Sequence, residues 1–219
     1  MSKHSYFYRN GLSIVFLSLF IVTLAAQALT GWKEHNKDLS EAHIPILSLL
    51  AYLGTGHFIS ATFENFQSEF LQMSLYVVLT IHLRQQGSAE SKKLEGKDEV
   101  DRDPKPEKDA PWAVRKGGWI LKVYSYSLSL VFFLLFFISW GLHLYGSWID
   151  HNVQQEIHHQ SRESIVQFLS EPTFWFETFQ NWQSEFLSVA SIVILTIYFR
   201  QKGSPESKPV DASDVETGK

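Results

Sequence analysis

Two blocks of this chain carry no charge. No Asp, Glu, Lys or Arg falls between Arg9 and Lys33, or between Lys122 and Asp150. Each gap exceeds the roughly 20 residues that a helix needs to cross a bilayer core of about 30 Å. The run Val-Phe-Phe-Leu-Leu-Phe-Phe-Ile at 131–138 has no polar face, which a helix packed in a soluble core rarely tolerates. Residues 11–31 and 127–147 are therefore predicted to be transmembrane helices. Lys3, Arg9 and Ala26-Gln27-Ala28 also follow the layout of a signal peptide. Against that reading, the same segment recurs at 128–148, where no leader can sit.

Two further apolar runs open on a shared phrase, Asn-Phe-Gln-Ser-Glu-Phe-Leu at 65–71 and Asn-Trp-Gln-Ser-Glu-Phe-Leu at 181–187. Each ends on a basic foot, Arg-Gln-x-Gly-Ser-x-Glu-Ser-Lys, at 84–92 and 200–208. A shift of 116 residues lays 12–92 on 128–208 without a gap, with 32 identities in 81 positions. Tandem duplication is the natural reading of such self-similarity. The pattern predicts an all-α membrane protein of four transmembrane helices, arranged as two tandem hairpins with parallel pseudo-two-fold symmetry. Short interfacial helices are expected in the outer loops, where apolar patches at 46–53 and 165–169 stop at Gly54-Thr55-Gly56 and at Ser170-Glu171-Pro172. Ser170 is the expected cap of the last long helix, and Gly87 and Gly203 are expected at the C′ positions.

The resulting organisation is a first two-helix repeat at 1–92 (spans about 11–31 and 64–84) and a loose charged linker at 93–126 with an interfacial segment at 111–122. A second repeat covers 127–208 (spans about 127–147 and 180–200), and 209–219 is a disordered tail.

Charge adds the topology. Of 19 Lys and Arg, 16 lie in the N-terminal segment, the 84–126 linker and the C-terminal tail. Loops 32–61 and 148–178 hold only Lys33, Lys37 and Arg162. The positive-inside rule places both termini and the 85–126 linker in the cytoplasm and both loops outside. The absence of cysteine excludes disulfides and thiolate chemistry. The linker mixes acidic and basic residues, which argues against a nucleic-acid partner.

Candidate chemistry sits in the repeated phrase. Glu69 lies 15 residues before Arg84, and Glu185 the same distance before Arg200, or about 22 Å along a helix. If the arginines mark the inner boundary, both carboxylates fall inside the bilayer, where an ionisable group is a functional hypothesis by default. Asn65 and Asn181 share their faces one turn earlier. Gln27 and its counterpart His143 complete the candidate intramembrane polar site, with an interhelical hydrogen bond as the plainer role. Glu69 and Glu185 could instead be hydrated near the interface or tie a helix to a loop. Arg84, Arg200, Trp32 and Trp148 are expected as interface anchors. Loop histidines (His35, His43, His151, His158 and His159) lack a closed ligand set, so no metal is assigned. No phosphate loop, metalloprotease motif or nucleophile elbow occurs, so neither a catalytic residue nor a cofactor is expected.

The motif Phe-[Glu/Gln]-Asn-[Phe/Trp]-Gln-Ser-Glu-Phe-Leu at 63–71 and 179–187, the two feet, and Asp-Ala-Pro-Trp-Ala-Val-Arg-Lys-Gly-Gly-Trp at 109–119 together resemble an uncharacterised bacterial family of small polytopic membrane proteins, a domain of unknown function. The resemblance covers nearly the whole chain. It implies a bacterial cytoplasmic (inner) membrane location and brings no activity. The expectation is a non-enzymatic, multi-pass membrane protein whose partners are the lipid bilayer and a second copy or another membrane protein. The alternative is a small ion or proton channel or transporter that uses the paired glutamates. An intramembrane enzyme acting on lipid or peptide would rest on the histidines and glutamates alone.

Overall fold

The first helix begins where the sequence supplies a cap. Ser5 is extended and its hydroxyl accepts the Tyr8 amide at 3.2 Å, opening α1 (Tyr6–Glu41). The computed structural model describes residues 5–218. It continues with α2 (Leu49–Tyr52), α3 (Gly56–His82), α4 (Trp112–Lys116), α5 (Gly118–Ser125), α6 (Ser127–Ile157), α7 (Ile165–Phe168) and α8 (Pro172–Tyr198). One 3-10 turn at Glu99–Asp101 precedes α4, and no strand occurs among the described residues. The described residues form an all-helical fold.

Two helices among the described residues, α1 and α6, are long and apolar enough to cross a membrane. At 36 and 31 residues they measure about 54 and 46 Å. Both overrun the expected spans, so 32–41 and 148–157 are helical rather than loop. No glycine or proline follows Trp32 or Trp148 closely enough to stop the helix there. None of the apolar span of α1 is buried. Leu12, Phe16 and Val22 are 75%, 63% and 65% exposed, a surface that only lipid or another apolar partner covers well. Helices α3 and α8, 27 residues each, fall short of the same measure, a departure from the four spans expected. Asn65, Gln67 and Glu69, and the matching residues of α8, cut their apolar runs short.

The chain forms two units, Met1–Thr62 with Leu142–Ser170, and Phe63–Gly141 with Glu171–Lys219. In the first, residues 116 apart make matching contacts. The Trp32 indole N–H and the Asn36 amide donate to the Leu47 carbonyl at 2.7 and 2.9 Å, and the Leu47 amide returns a bond to Asn36 Oδ1 at 2.7 Å. Trp148 and Asn152 hold Glu163 in the same way, at 2.8, 3.1 and 2.7 Å. The tryptophans are thus bonded to the returning loop, a role beyond that of interface anchor. Ser48 and Ser164 then cap α2 and α7, and Gln167 completes a capping box at the second. Helices α1 and α6 both end on a left-handed histidine, His43 (φ 59°) and His159 (φ 57°). The following amides reach back five residues, Ile44 to the Leu39 carbonyl and Gln160 to the Gln155 carbonyl, each at 2.8 Å. These two histidines therefore close helices. Glu171 occupies the N-cap position of α8 without a side-chain bond, and Pro172 stands in the first turn. Ser170, the expected cap, instead donates its amide to the Gln167 carbonyl and closes the turn after α7.

In the second unit the basic feet prove to be helix terminators. Helices α3 and α8 end at His82 and Tyr198, so Gly87 and Gly203 are not C′ residues. They sit in the next turn, at φ 83° and 84°. The arginines do the capping. Arg84 Nη1 donates to the Thr80, Ile81 and Leu83 carbonyls, and Arg200 Nη1 to those of Thr196, Ile197 and Phe199. This satisfies orphan carbonyls and places positive charge at the negative end of the helix dipole. The Ser91 and Ser207 hydroxyls then accept the Gln85 and Gln201 amides at 3.0 and 2.9 Å.

The last lysine of each foot ties down the segment after it. Lys92 is bonded to the Asp101 carboxylate. Lys208, 2% exposed, donates to the Ser213, Asp214 and Glu216 carbonyls. Burial pushes its pKa down. The tail expected to be disordered is therefore held, and the Gly218 amide also bonds the Ser88 carbonyl at 3.0 Å. The linker likewise carries local order, with helical segments α4 and α5 over the stretch expected at the interface.

Candidate functional site

In the second unit the repeated phrase meets its own copy. Gln67 on α3 is fully buried, and its Oε1 accepts the Trp182 indole N–H at 2.8 Å. The Asn181 amide donates to the Glu64 carboxylate and to the Glu177 carbonyl. One turn on, Glu69 and Glu185 come close enough for their charges to act on each other. A turn further, Gln72 Nε2 reaches Ser188 Oγ at 3.5 Å. Glu69 with Glu185 and Gln72 with Ser188 are pairs of identical repeat positions, 116 residues apart.

The result is a polar seam between α3 and α8, floored by aromatic rings. Phe136 and Phe179 lie 6.3 and 5.6 Å from Trp182. The seam is open on one side. Asn65, Glu69, Ser184 and Ser188 are exposed and Glu185 is half-buried. Of the residues expected at an intramembrane site, Asn65, Glu69, Asn181 and Glu185 all belong to this unit, and the two glutamates come together.

Gln27 and His143 belong to the first unit. Gln27 Nε2 donates to Thr62 Oγ1 at 3.3 Å, an interhelical bond of the kind expected of it. His143 is fully buried. Three members of the seam, Gln67, Glu64 and Trp182, are absent from the site expected on sequence. A signal for the first and last exists in the exchange of Phe66 for Trp182 between copies, which introduces one indole N–H that needs an acceptor when buried.

The first unit also holds a histidine pair outside the apolar spans. His35 on α1 lies 4.9 Å, ring to ring, from His57 on α3, and the Tyr52 hydroxyl stands 3.0 Å from His57 Nδ1. Tyr52 is 1% exposed and His35 5%. Burial, then the charge of His57, push the His35 pKa below its ordinary value, while Asp150 and Asp38 act the other way. In the matching place His151 faces Phe168 and pairs with Glu163 at 3.3 Å. A depressed histidine resists a proton that the unfolded chain accepts. Its contribution to stability is therefore full above the ordinary value near 6.5 and is lost as pH falls through the folded value. The melting temperature of the purified protein is expected to drop more on going from about pH 7 to about pH 5 than that of His35→Phe. Equal drops would show that His35 does not carry the effect.

The family described as "Domain of unknown function (DUF6766)" matches residues 3–219. No curated protein and no solved structure matches the chain.

Proposed function

Since the chain belongs to the DUF6766 family, whose description assigns no activity, we propose from its own residues that it is a non-enzymatic integral membrane protein that associates with a second copy of itself through the α3–α8 seam. It crosses a bacterial inner membrane four times. Helices α1 and α6 supply two spans, and α3 and α8, their outer ends made polar by the repeated phrase, supply the others. The halves are a tandem duplication related by a pseudo-two-fold axis, a reading supported by the meeting of identical positions at Glu69/Glu185 and Gln72/Ser188. The termini and linker face the cytoplasm, following the distribution of Lys and Arg.

One observation carries the association: a carboxyl pair stands on the open side of the α3–α8 seam. Facing hydrocarbon, a charged carboxylate costs about 2.5–3.5 kcal/mol near a helix centre. A second copy, presenting the same polar strip across an isologous contact, removes that cost. The chain has no cysteine, so a single introduced thiol is unique. Ser184→Cys is expected to form a disulfide-linked dimer in oxidised membranes, whereas Leu17→Cys, on the apolar surface of α1, is not. Equal yields at the two positions, or none at Ser184→Cys, would overturn the association.

A second reading rests on the closeness of the two carboxyls. Like charges so close favour sharing a proton, which also suits the pair to proton transfer. Proton flux in proteoliposomes that disappears in Glu69→Gln/Glu185→Gln would favour a channel or transporter over a purely structural contact.

A further inference from the structure

The second unit contains a cavity of about 520 Å³ between α3 and α8, on the foot side of the seam. Its walls are apolar, including Leu75, Leu79, Phe186, Val189 and Val193. Along α3 it runs from Gln72 to Thr80, eight residues or about 12 Å, and continues past the helix end to Leu83 and Arg84. Polar groups gather at the foot end, where Arg84, Gln85, Glu90 and Ser91 form the rim. A long apolar slot with charge at one end has the form of a site for an amphiphile.

The repeat shows what the rim arginine recruits. Arg200 caps α8 with Nη1 and turns Nη2 outward, onto the Ala212 carbonyl at 3.0 Å and the Asp214 carboxylate at 2.9 Å. Arg84 caps α3 in the same way, but its Nη2 makes no hydrogen bond among the described residues. The linker offers no substitute for the tail. Asp101, which feels the Arg84 charge, is bonded to Lys92. The guanidinium of the first copy thus keeps the anion-binding edge that the second copy spends on its own tail.

A carboxylate shares this rim. The Tyr76 hydroxyl donates to Glu90 Oε2 at 2.6 Å and fixes the acid beside the slot. A purely anionic headgroup would meet Arg84 and be repelled by Glu90. A headgroup carrying both charges satisfies both.

We propose that this cavity binds one zwitterionic, amine-bearing phospholipid, with its phosphate on Arg84, its ammonium on Glu90 and an acyl chain along the slot. The inference rests on the membrane reading above. The occupant differs from bulk lipid in being chosen by its headgroup.

The test uses the full-length protein, purified in detergent and titrated with phosphatidylethanolamine or phosphatidylglycerol, with retained lipid counted by native mass spectrometry. Phosphatidylethanolamine is expected to be retained about tenfold better, because its ammonium adds a charge-assisted bond to Glu90 where the anionic lipid meets repulsion. Glu90→Gln keeps an acceptor for Tyr76 and should erase the preference. Arg84→Gln should lower retention of both lipids. Leu79→Trp fills the slot without touching the charges and should abolish retention while the melting temperature holds. Equal retention of the two lipids, or a preference for phosphatidylglycerol that Glu90→Gln leaves unchanged, overturns the proposal. Alkaline carbonate extraction of membranes separates the two ideas. Protein released by carbonate defeats the membrane reading and this site with it, whereas protein that stays in the membrane without headgroup preference defeats the site alone.

Discussion

Gly146→Leu is expected to destabilise the protein by about 3 kcal/mol, the upper part of the range for overpacking. The reason is a backbone-to-backbone contact in the first unit. A Cβ on Gly146 would stand 2.5 Å from the Ser60 amide nitrogen and 3.0 Å from the Gly56 carbonyl oxygen. A Cβ on Gly56 would in turn meet the Asp150 amide nitrogen and the Gly146 carbonyl oxygen, both at 2.6 Å. No flexible side chain can give way at these points. The start of α3 and the C-terminal half of α6 approach as only glycine allows, and the Ser60 and Ser147 hydroxyls close the contact with a bond of 2.6 Å. Even Gly146→Ala should therefore melt measurably lower than wild type in detergent. Gly141, one turn earlier on α6, has nothing within 4 Å of its Cβ position. Gly141→Ala is expected to be neutral or to gain up to about 1 kcal/mol from helix propensity. If both alanine variants melt alike, the close contact is not what holds these helices together.

That glycine pair also marks where the sequence stops being legible. Its repeat counterparts are Thr30 and Pro172, so comparing the halves gives no hint that Gly56 and Gly146 meet. Where a feature recurs in both halves, the sequence is more informative. The apolar patches at 46–53 and 165–169 hold α2 and α7, and the breaks at Gly54-Thr55-Gly56 and Pro172 start α3 and α8. The C-terminal ends of α1 and α6 lie beyond their expected positions because the stretches after Trp32 and Trp148 are polar enough to read as loops. Their stop signal, a left-handed histidine at 43 and 159, is rarer than glycine in that role.

The arginines of the basic feet read as interface anchors because charge is their visible property. Their geometry depends on Arg84 and Arg200 folding back onto carbonyls, which no local spacing announces. The tail departs from expectation for a related reason. Its composition is polar, but the carbonyls of Ser213, Asp214 and Glu216 surround one buried ammonium. Within the seam, equal spacing from the arginines puts Glu69 and Glu185 at one level, yet the burial of Gln67 depends on the angle at which α3 and α8 cross.

The bond between Gln67 and Trp182 supports the second large expectation. Gln67 is fully buried, and the only hydrogen bond of its side chain among the described residues is the one its Oε1 accepts from the indole. Trp182→Phe removes that donor and leaves a buried carboxamide with no partner, at a cost of about 1–3 kcal/mol. Sterically the change is mild, because phenylalanine already stands at the matching position, Phe66. Gln67→Leu should cost less, since Trp182 is only half-buried and its N–H can find another acceptor. In Trp182→Phe/Gln67→Leu no polar group is left unpaired, and the double variant is expected to melt above Trp182→Phe. This ordering separates a polar bond from simple packing, for which the two losses would add. The bond also bears on the carboxyl pair. Glu69 and Glu185 lie two and three residues further along the same helices, so the register of α3 against α8 sets whether they meet. Disulfide yield at Ser184→Cys is therefore expected to fall in the Trp182→Phe background and recover in the double variant. A yield insensitive to both changes would mean that the seam forms without the Gln67–Trp182 bond.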